Sequence, residues 1–302
     1  MKLMIEVNKV TKKFGDFTAI RELSFKVDKA SIYGLVGYNG AGKTTLLKTV
    51  AGVYKATSGE VLIDGENVFN NAKIKQRIFY VPDDLFFDPY STLKSMSKFY
   101  KGYYPKFSDK TFDKLIEVFG LDANKRINSF SKGMQRQGEM ILGMSTRPDI
   151  LLLDESFDGL DPAKRALMNN MIIEYMADTQ CSVIVSSHNL HELADLCDHI
   201  GLINGQRIVM DCSVDDMSGS RCKFRLLFDG EPTQDDFSGI YISKFNKDGK
   251  MITITVSGDI DDAEKKLRAM NPLIIEKFPL SLEEIFLEEM EGTDYDFSEI
   301  FG

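Results

Sequence analysis

Residues 31–47 read SIYGLVGYNGAGKTTLL, and this stretch decides how the chain folds. SIYGLVG is typical of a short buried strand, and TTLLKTVAG has the apolar spacing of a helix that closes on Gly52. Between them, residues 37–44 hold the pattern G-x-x-x-x-G-K-T. Such glycines let successive backbone N–H groups face one concavity, and the following helix directs its positive end there. We therefore predict a phosphate-binding loop rather than a plain strand–turn–helix connection, with Lys43 reaching β- and γ-phosphates and Thr44 ligating Mg²⁺.

A second apolar run, DILLLDES at residues 149–156, predicts a parallel strand buried on both faces. Asp154 and Glu155 emerge at its carboxyl end, where open α/β sheets bind their ligands. Asp154 would hold Mg²⁺ through water, and Glu155 would orient or deprotonate an attacking water. The alternative is that both carboxylates only cap the next helix. Charges directly after a buried strand cost less, however, when a metal compensates them.

Two further stretches are ambiguous by themselves. SVIVSSH predicts another buried strand, and its final His188 would hydrogen-bond a γ-phosphate, although a lone histidine there is more often structural. FSKGMQRQ, residues 130–137, places Ser131 ahead of apolar residues and predicts the start of a helix.

Composition excludes several function classes. The chain has 302 residues, enough for two domains or one large domain with an appendage. Its net charge of −9 includes eight carboxylates without Lys or Arg in residues 283–302, so the rest is nearly neutral and lacks the basic stripe of a nucleic-acid-binding protein. No apolar segment approaches the ~18 residues of a membrane span. Four cysteines without C-x-x-C spacing favour a reducing compartment, and the HxxH pair at His188 and His191 lacks further metal ligands.

Taken together, GYNGAGKT, FSKGM, ILLLDE, SFDGLDP and SSH stand in the order of the motifs of ABC transporter ATP-binding subunits, and residues 3–215 resemble that family. The resemblance implies an α/β fold with a P-loop NTPase (RecA-like) core, an N-terminal antiparallel β region and a helical insertion at about residues 85–145. FSKGM matches the LSGGQ signature, whose Ser and Gly face the γ-phosphate of an ATP held by the opposite protomer. A helix N-terminus with a free hydroxyl suits such an anion.

The resemblance also assigns individual roles. Phe14 matches the aromatic that stacks on adenine, where the family more often has Tyr; otherwise it is an ordinary strand-end aromatic. Asp161 matches an aspartate that couples the two sites of a dimer, and before Pro162 it is equally a normal helix cap. The implied catalytic residues are Lys43, Glu155 and His188. The implied ATP contacts are Phe14, Gly37, Asn39, Gly40, Ala41, Gly42, Lys43, Thr44, Thr45, Ser131, Gly133 and Asp161, and the implied metal ligands are Thr44, Asp83 and Asp154.

The sequence departs from the family pattern at three places. Asp83, in YVPDD, stands where the family usually has Gln, and a shorter acidic side chain bridges less easily to the attacking water. The signature has Lys132 for Gly and Met134 for Gln. Gln137 occupies the position of the usual Arg, and Arg136 precedes it. These changes affect the expected turnover and coupling more than ATP binding.

The family motifs stop after residue 216. Residues 1–216 are therefore assigned to the ATP-binding domain and residues 217–302 to a small α+β accessory domain with an acidic tail. In this second part, KFRLLF, YISKF and MITITVS predict strands, and DIDDAEKKLRAM and SLEEIFLEEM predict helices. The ending resembles the C-terminal extensions of exporter-type subunits.

The leading hypothesis is a cytoplasmic ATPase, peripheral on the inner face of the membrane, that dimerises around two ATP molecules and drives a separate permease, in the direction of export. Its partner cassette is a second copy or a related subunit. One alternative is a non-transport ABC ATPase acting on DNA or ribosomes, which lacks support from coiled-coil heptads, a second cassette or a basic surface. Another alternative is a regulatory module that binds ATP but hardly hydrolyses it. The departures from the family pattern at Asp83 and Lys132 are consistent with this alternative.

Overall fold

The structure is a computed structural model that describes residues 3–190, 193, 195–214, 221–230, 232–280 and 284. The chain divides into two units, Met1–Asp211 and Cys212–Gly302. The boundary predicted after residue 216 falls among residues 215–220, which lie outside the described residues. Residues 191, 192 and 194, nearly all of the predicted helix SLEEIFLEEM and the acidic tail also lie outside them.

Among the described residues, the first unit carries two sheets and six α-helices with defined bounds. Its strands are β1 (Leu3–Phe14), β2 (Phe17–Asp28), β3 (Ile32–Val36), β4 (Ser58–Ile63), β5 (Glu66–Asn67), β6 (Ile78–Val81), β7 (Ile150–Asp154), β8 (Ser182–Ser187), β9 (His199–Asn204) and β10 (Arg207–Ser213). Its helices are α1 (Lys43–Val50), α2 (Ala72–Lys75), α3 (Leu93–Tyr103), α4 (Asp109–Phe119), α5 (Lys132–Ser145) and α6 (Pro162–Thr179).

The central sheet has the strand order β10-β9-β3-β8-β7-β6, and β9, β3, β8, β7 and β6 are parallel. β3, β7 and β8 are buried along their whole length, as their unbroken apolar runs predicted. Parallel strands place their carboxyl ends at one edge, so the sheet brings together the residues that follow β3, β7 and β8. The α/β core expected from the sequence is confirmed.

A separate antiparallel sheet, with the order β2-β1-β4-β5, forms the expected N-terminal β region. Its apolar face shares one core with α1 and the central sheet, where Ile5, Leu35, Leu46, Leu152 and Ile184 are all fully buried. The helix that follows the phosphate-binding loop is therefore enclosed by both sheets, which fixes the position of the loop.

Helices α3, α4 and α5 lie between β6 and β7 in sequence and form the predicted helical insertion. Each begins at a polar cap: Thr92, Ser108 and Ser131 accept hydrogen bonds from the third residue of α3, α4 and α5 respectively. The insertion has its own apolar cluster, which includes Leu93 and Phe112. No described helix is long and apolar enough to cross a membrane.

The sheet of the second unit has the strands β11 (Arg221–Leu227), β12 (Ile242–Asp248), β13 (Met251–Ser257) and β14 (Ile274–Pro279), and the described α-helix of this unit is α7 (Ile260–Ala269). The strands are antiparallel in the order β12-β13-β11-β14, and Phe224, Ile252, Ile254 and Leu267 are buried in the core of this unit. Three strands and the helix match the predicted segments. Strand β14 was not predicted, because its residues are mostly exposed and lack alternation.

Close packing of α5 on β6 depends on Gly143. A Cβ atom at this position would lie 2.6 Å from Cδ1 of Phe79, whose ring is buried. We expect Gly143→Ala to lower the free energy of unfolding by about 1–3 kcal/mol, because the ring and the helix must move apart. Gly102→Ala is the matched control: outside its own helix backbone no atom lies within 4 Å of its Cβ position, and it should raise stability by up to about 1 kcal/mol. Urea unfolding followed by circular dichroism measures both; equal effects would contradict the close contact.

Candidate nucleotide site

The phosphate-binding loop runs from the carboxyl end of β3 to the first turn of α1. Gly42 precedes the helix with a φ of 108°, and a Cβ there would lie 2.7 Å from the carbonyl oxygen of Ala19. A Cβ at Gly37 would lie 2.8 Å from the carbonyl oxygen of Ile203. Both positions therefore require glycine. No side chain caps the start of α1, so its first N–H groups suit an anion.

Lys43 is the first residue of α1, and only 5% of its surface is exposed. Its Nζ donates to the carbonyl oxygens of Gly37 and Tyr38, both in the loop. The same Nζ lies 3.0 Å from Oε1 of Glu155. Two nearly buried groups of opposite charge are therefore in direct contact. The structure thus joins the lysine of the loop to the acid that follows β7.

Glu155 is buried at the carboxyl edge of the central sheet, with a φ of 46°. Its Oε2 lies 2.9 Å from Nδ1 of His188 and accepts the backbone N–H of the same residue at 3.3 Å. Burial alone would raise the pKa of Glu155. The contacts with His188 and Lys43 outweigh that effect and hold the pKa below its usual value. Glu155 is therefore ionised at neutral pH, and the three predicted catalytic residues are in direct contact.

Asp154 is fully buried at the last position of β7. Its Oδ1 accepts the hydroxyl of Ser186 at 2.8 Å, and its Oδ2 accepts the hydroxyl of Tyr80 at 2.9 Å. Burial, together with the nearby Asp154 charge, raises the pKa of Tyr80, so the phenol stays protonated as a donor. Neither Tyr80 nor Ser186 was predicted, because a strand tyrosine and a strand serine carry no signal until the register of β6, β7 and β8 is known.

The predicted metal ligands offer the oxygen donors that Mg²⁺ prefers. Asp154 supplies a fixed carboxylate whose oxygens each retain a lone pair, and Thr44 supplies an exposed hydroxyl at the start of α1. Among the described residues, no cluster of three or more His, Cys, Asp or Glu side chains can hold a metal by itself. A magnesium ion bound here would thus depend on phosphate and water oxygens as well.

Asp83 has a different partner. Its Oδ1 lies 2.9 Å from Nη2 of Arg136 on α5, and 54% of its side chain is exposed. The position after β6, where the sequence predicted a metal ligand, is therefore ion-paired to α5.

Phe14, at the end of β1, is 43% exposed and contacts Tyr54 edge to face, with ring centroids 5.3 Å apart. Lys12 Nζ lies 4.9 Å from the centre of the Phe14 ring and 5.5 Å from that of Tyr54. The aromatic surface predicted at Phe14 is therefore supported by a second ring and a cation that the sequence did not indicate.

The signature residues lie at an exposed helix start. Ser131 caps α5 and accepts the N–H of Met134 at 3.3 Å, and both Ser131 and Lys132 are exposed. A Cβ at Gly133 would meet only Leu160, at an ordinary 3.4 Å. Asp161 caps α6 and is also exposed, and the backbone N–H of Lys164 lowers its pKa. The polar groups of Ser131, Lys132 and Asp161 are therefore accessible to solvent.

The aromatic residues of the insertion divide into two sets. Phe87 is buried and Tyr100 packs inward, where its hydroxyl donates to Glu139, whose burial raises its pKa to about 7. Phe86 and Tyr103 are 90% and 60% exposed. An apolar groove of about 410 Å³ lies beside α3, lined by Ala72, Lys75, Gln76, Phe99, Tyr100, Tyr103 and Tyr104.

Comparison with known proteins identifies the family of the chain. Residues 20–158 match the family described as ABC transporter. The chain is 30% identical to the bacitracin transport ATP-binding protein BcrA of Bacillus licheniformis, over 74% of each protein. It is 27% identical to the ABC transporter ATP-binding protein YtrB of Bacillus subtilis, over 96% of this chain and 99% of that protein.

Solved structures share the fold of about 70% of the chain. The structure of an ATP-binding subunit of an ABC transporter matches 71% of this chain and 91% of its own length, at 23% identity and a TM-score of 0.65. A nucleotide-free ATP-binding cassette from an ABC transporter matches 70% of this chain and 91% of its own, at 21% identity and a TM-score of 0.61.

The ion pair between Lys43 and Glu155 makes a testable prediction about pH. In Lys43→Met, burial of Glu155 is opposed only by His188, so the pKa of Glu155 should rise above its wild-type value. The depressed wild-type pKa stabilises the fold at neutral pH and loses that effect as the pH falls through it, so the variant should also show a weaker pH dependence of stability. Carbon-13 NMR of the glutamate carboxyl groups measures the pKa. Lys48→Met, whose Nζ lies over the Tyr54 ring, is the control and should not move it; an unchanged pKa in Lys43→Met would refute the pairing.

Proposed function

The chain belongs to the family of ABC transporter ATP-binding proteins, and on that premise we propose that it hydrolyses ATP as one of two cassettes closed around two nucleotides, to drive a separate membrane permease. The observation that carries this proposal is the contact of Glu155 with both Lys43, the first residue of α1, and His188. A plain strand–turn–helix connection would have no reason to bury a lysine between two loop carbonyls and a carboxylate.

ATP would bind with its phosphates against the loop amides at residues 40–45 and its adenine against Phe14. Lys43 would then exchange the carbonyls of Gly37 and Tyr38 for β- and γ-phosphate oxygens. Thr44 and Asp154 would hold Mg²⁺, which supplies neutralising positive charge to the phosphates when bound.

Movement of Lys43 toward a phosphate would make the carboxylate of Glu155 more basic. The lysine charge is one of the causes that depress the pKa of Glu155. When phosphate oxygens share that charge, Oε1 is released and the carboxylate becomes a stronger base for a water near the γ-phosphate. His188 holds Oε2 at 2.9 Å and would keep the carboxylate aimed while also bonding the γ-phosphate.

A second chain would complete each site. Ser131 and Gly133 present a hydroxyl and backbone N–H groups at the exposed start of α5, which suits the γ-phosphate of a nucleotide held by the partner. Asp161, at the start of α6, would also contact the partner chain. The exposure of Ser131 and Asp161 supports a role between two chains. In a single chain neither residue would have a phosphate to bind, whereas a partner chain could supply one.

The permease would bind the helical insertion. Exposed aromatic residues beside the apolar groove at α3 have the composition of an interface core, which is rich in Tyr and Phe. The direction of transport is proposed as export, because the end of the chain resembles the C-terminal extensions of exporter-type subunits. The chain would then act as a peripheral protein on the inner face of the membrane.

Removing the base while keeping the shape of the site tests the proposal. With Mg-ATP, the Glu155→Gln variant should lose about 10²-fold or more of the phosphate-release rate and should shift from monomer to dimer by light scattering. The wild-type chain, which turns ATP over, is the control for both readouts. A variant that binds ATP and yet stays monomeric would contradict the composite site formed by two copies, and full hydrolysis in the variant would contradict the assignment of Glu155.

A further inference from the structure

Two departures from the family pattern meet in the structure. Asp83 replaces a Gln after β6, and Arg136 stands one position before the usual Arg of the signature helix. Nη2 of Arg136 lies 2.9 Å from Oδ1 of Asp83 and donates to the carbonyl oxygen of the same residue at 2.9 Å. Nη1 donates to the carbonyl oxygen of Pro82 at 3.3 Å. One arginine therefore holds the end of β6 by three contacts.

The environment makes this link stronger than an ordinary surface ion pair. Only 11% of the Arg136 side chain is exposed. Hydrogen bonds with an ionised donor are stronger than neutral ones, and fixed geometry at several acceptors reduces the cost of ordering the side chain. Replacing Arg136 would remove the donor to both carbonyl oxygens, and replacing Asp83 would leave the largely buried guanidinium without its counter-charge.

The link lies between two functional groups. Tyr80, three residues before Asp83, donates to Asp154 at the proposed magnesium site. Ser131, five residues before Arg136, caps the same helix and faces outward. The connected path thus runs from Asp154 through Tyr80 and β6 to Arg136 and the start of α5.

We propose that Arg136 is a positioning residue, which acts through Asp83 to set the start of α5 relative to β6, so that the chain's own nucleotide site controls how Ser131 is presented to the partner's ATP. This inference rests on the proposed function. It assigns Asp83 to Arg136 rather than to the metal, which accounts for both departures with one interaction.

The test uses the full chain with Glu155→Gln as the parent. Arg136→Gln should raise the ATP concentration for half-maximal dimer formation by roughly 3–10-fold, while leaving the affinity of the monomer for a fluorescent ATP analogue with Mg²⁺ unchanged. Arg136→Lys should recover part of the loss. Adding Asp83→Asn to Arg136→Gln should have no further effect on dimer formation, because the pair is already broken.

Arg147→Gln is the matched control. Arg147 follows the same helix and pairs with Asp178, on α6, at 3.1 Å. It should leave dimer formation unchanged, and an equal loss in this variant would overturn the inference by showing a general effect of removing charge.

Two other results would overturn it. If Asp83→Asn weakens Mg-ATP binding by the monomer even when Arg136→Gln is present, Asp83 acts on the metal and not through the arginine. If Arg136→Gln lowers monomer affinity and dimer formation alike, the residue only supports the fold. A parent that never dimerises would instead disprove the proposed function, and this inference with it.

Discussion

A lysine and a glutamate lie nearly out of water at the carboxyl edge of the central sheet, 3.0 Å apart. Burying two charges is costly unless the geometry compensates it, and here loop carbonyls and a histidine complete the arrangement. To bring Lys43 and Glu155 together, the loop needs its glycines, α1 must begin at Lys43, and β3, β7 and β8 must end at the same edge of the sheet. This arrangement also leaves the site ready for an anion, because a phosphate can replace the carbonyls and the carboxylate around Lys43.

The sequence predicted the central fold because its signals were local. Apolar runs marked β3, β7 and β8, and a glycine pattern with Lys43 and Thr44 marked the turn between β3 and α1. Polar residues at the ends of those strands followed from the rule that ligands bind at the carboxyl edge of parallel sheets. Strand β14 carried no such local signal, and its pairing with β11 decides its structure.

The contacts that could not be predicted from the sequence are those between segments far apart in the chain. Tyr80 and Ser186 reach Asp154 only because β6, β7 and β8 are neighbours in a given register. Arg136 reaches Asp83 across 53 positions of sequence, so two substitutions that look like separate losses form one interaction. Three residues determine the position of helix α5. Ser131 caps its start, Arg136 bonds to the residues that follow β6, and Gly143 allows close contact with Phe79.

The central claim is that two chains share each nucleotide site, and complementation between defective chains tests it most directly. In a Glu155→Gln background, one chain carries Lys43→Ala and the other Ser131→Glu, whose charge opposes a phosphate. Each alone should stay monomeric with Mg-ATP, and the mixture should form dimers that trap one ATP per two chains, since only one composite site is intact. Dimers from either variant alone, or none from the mixture, would contradict the account.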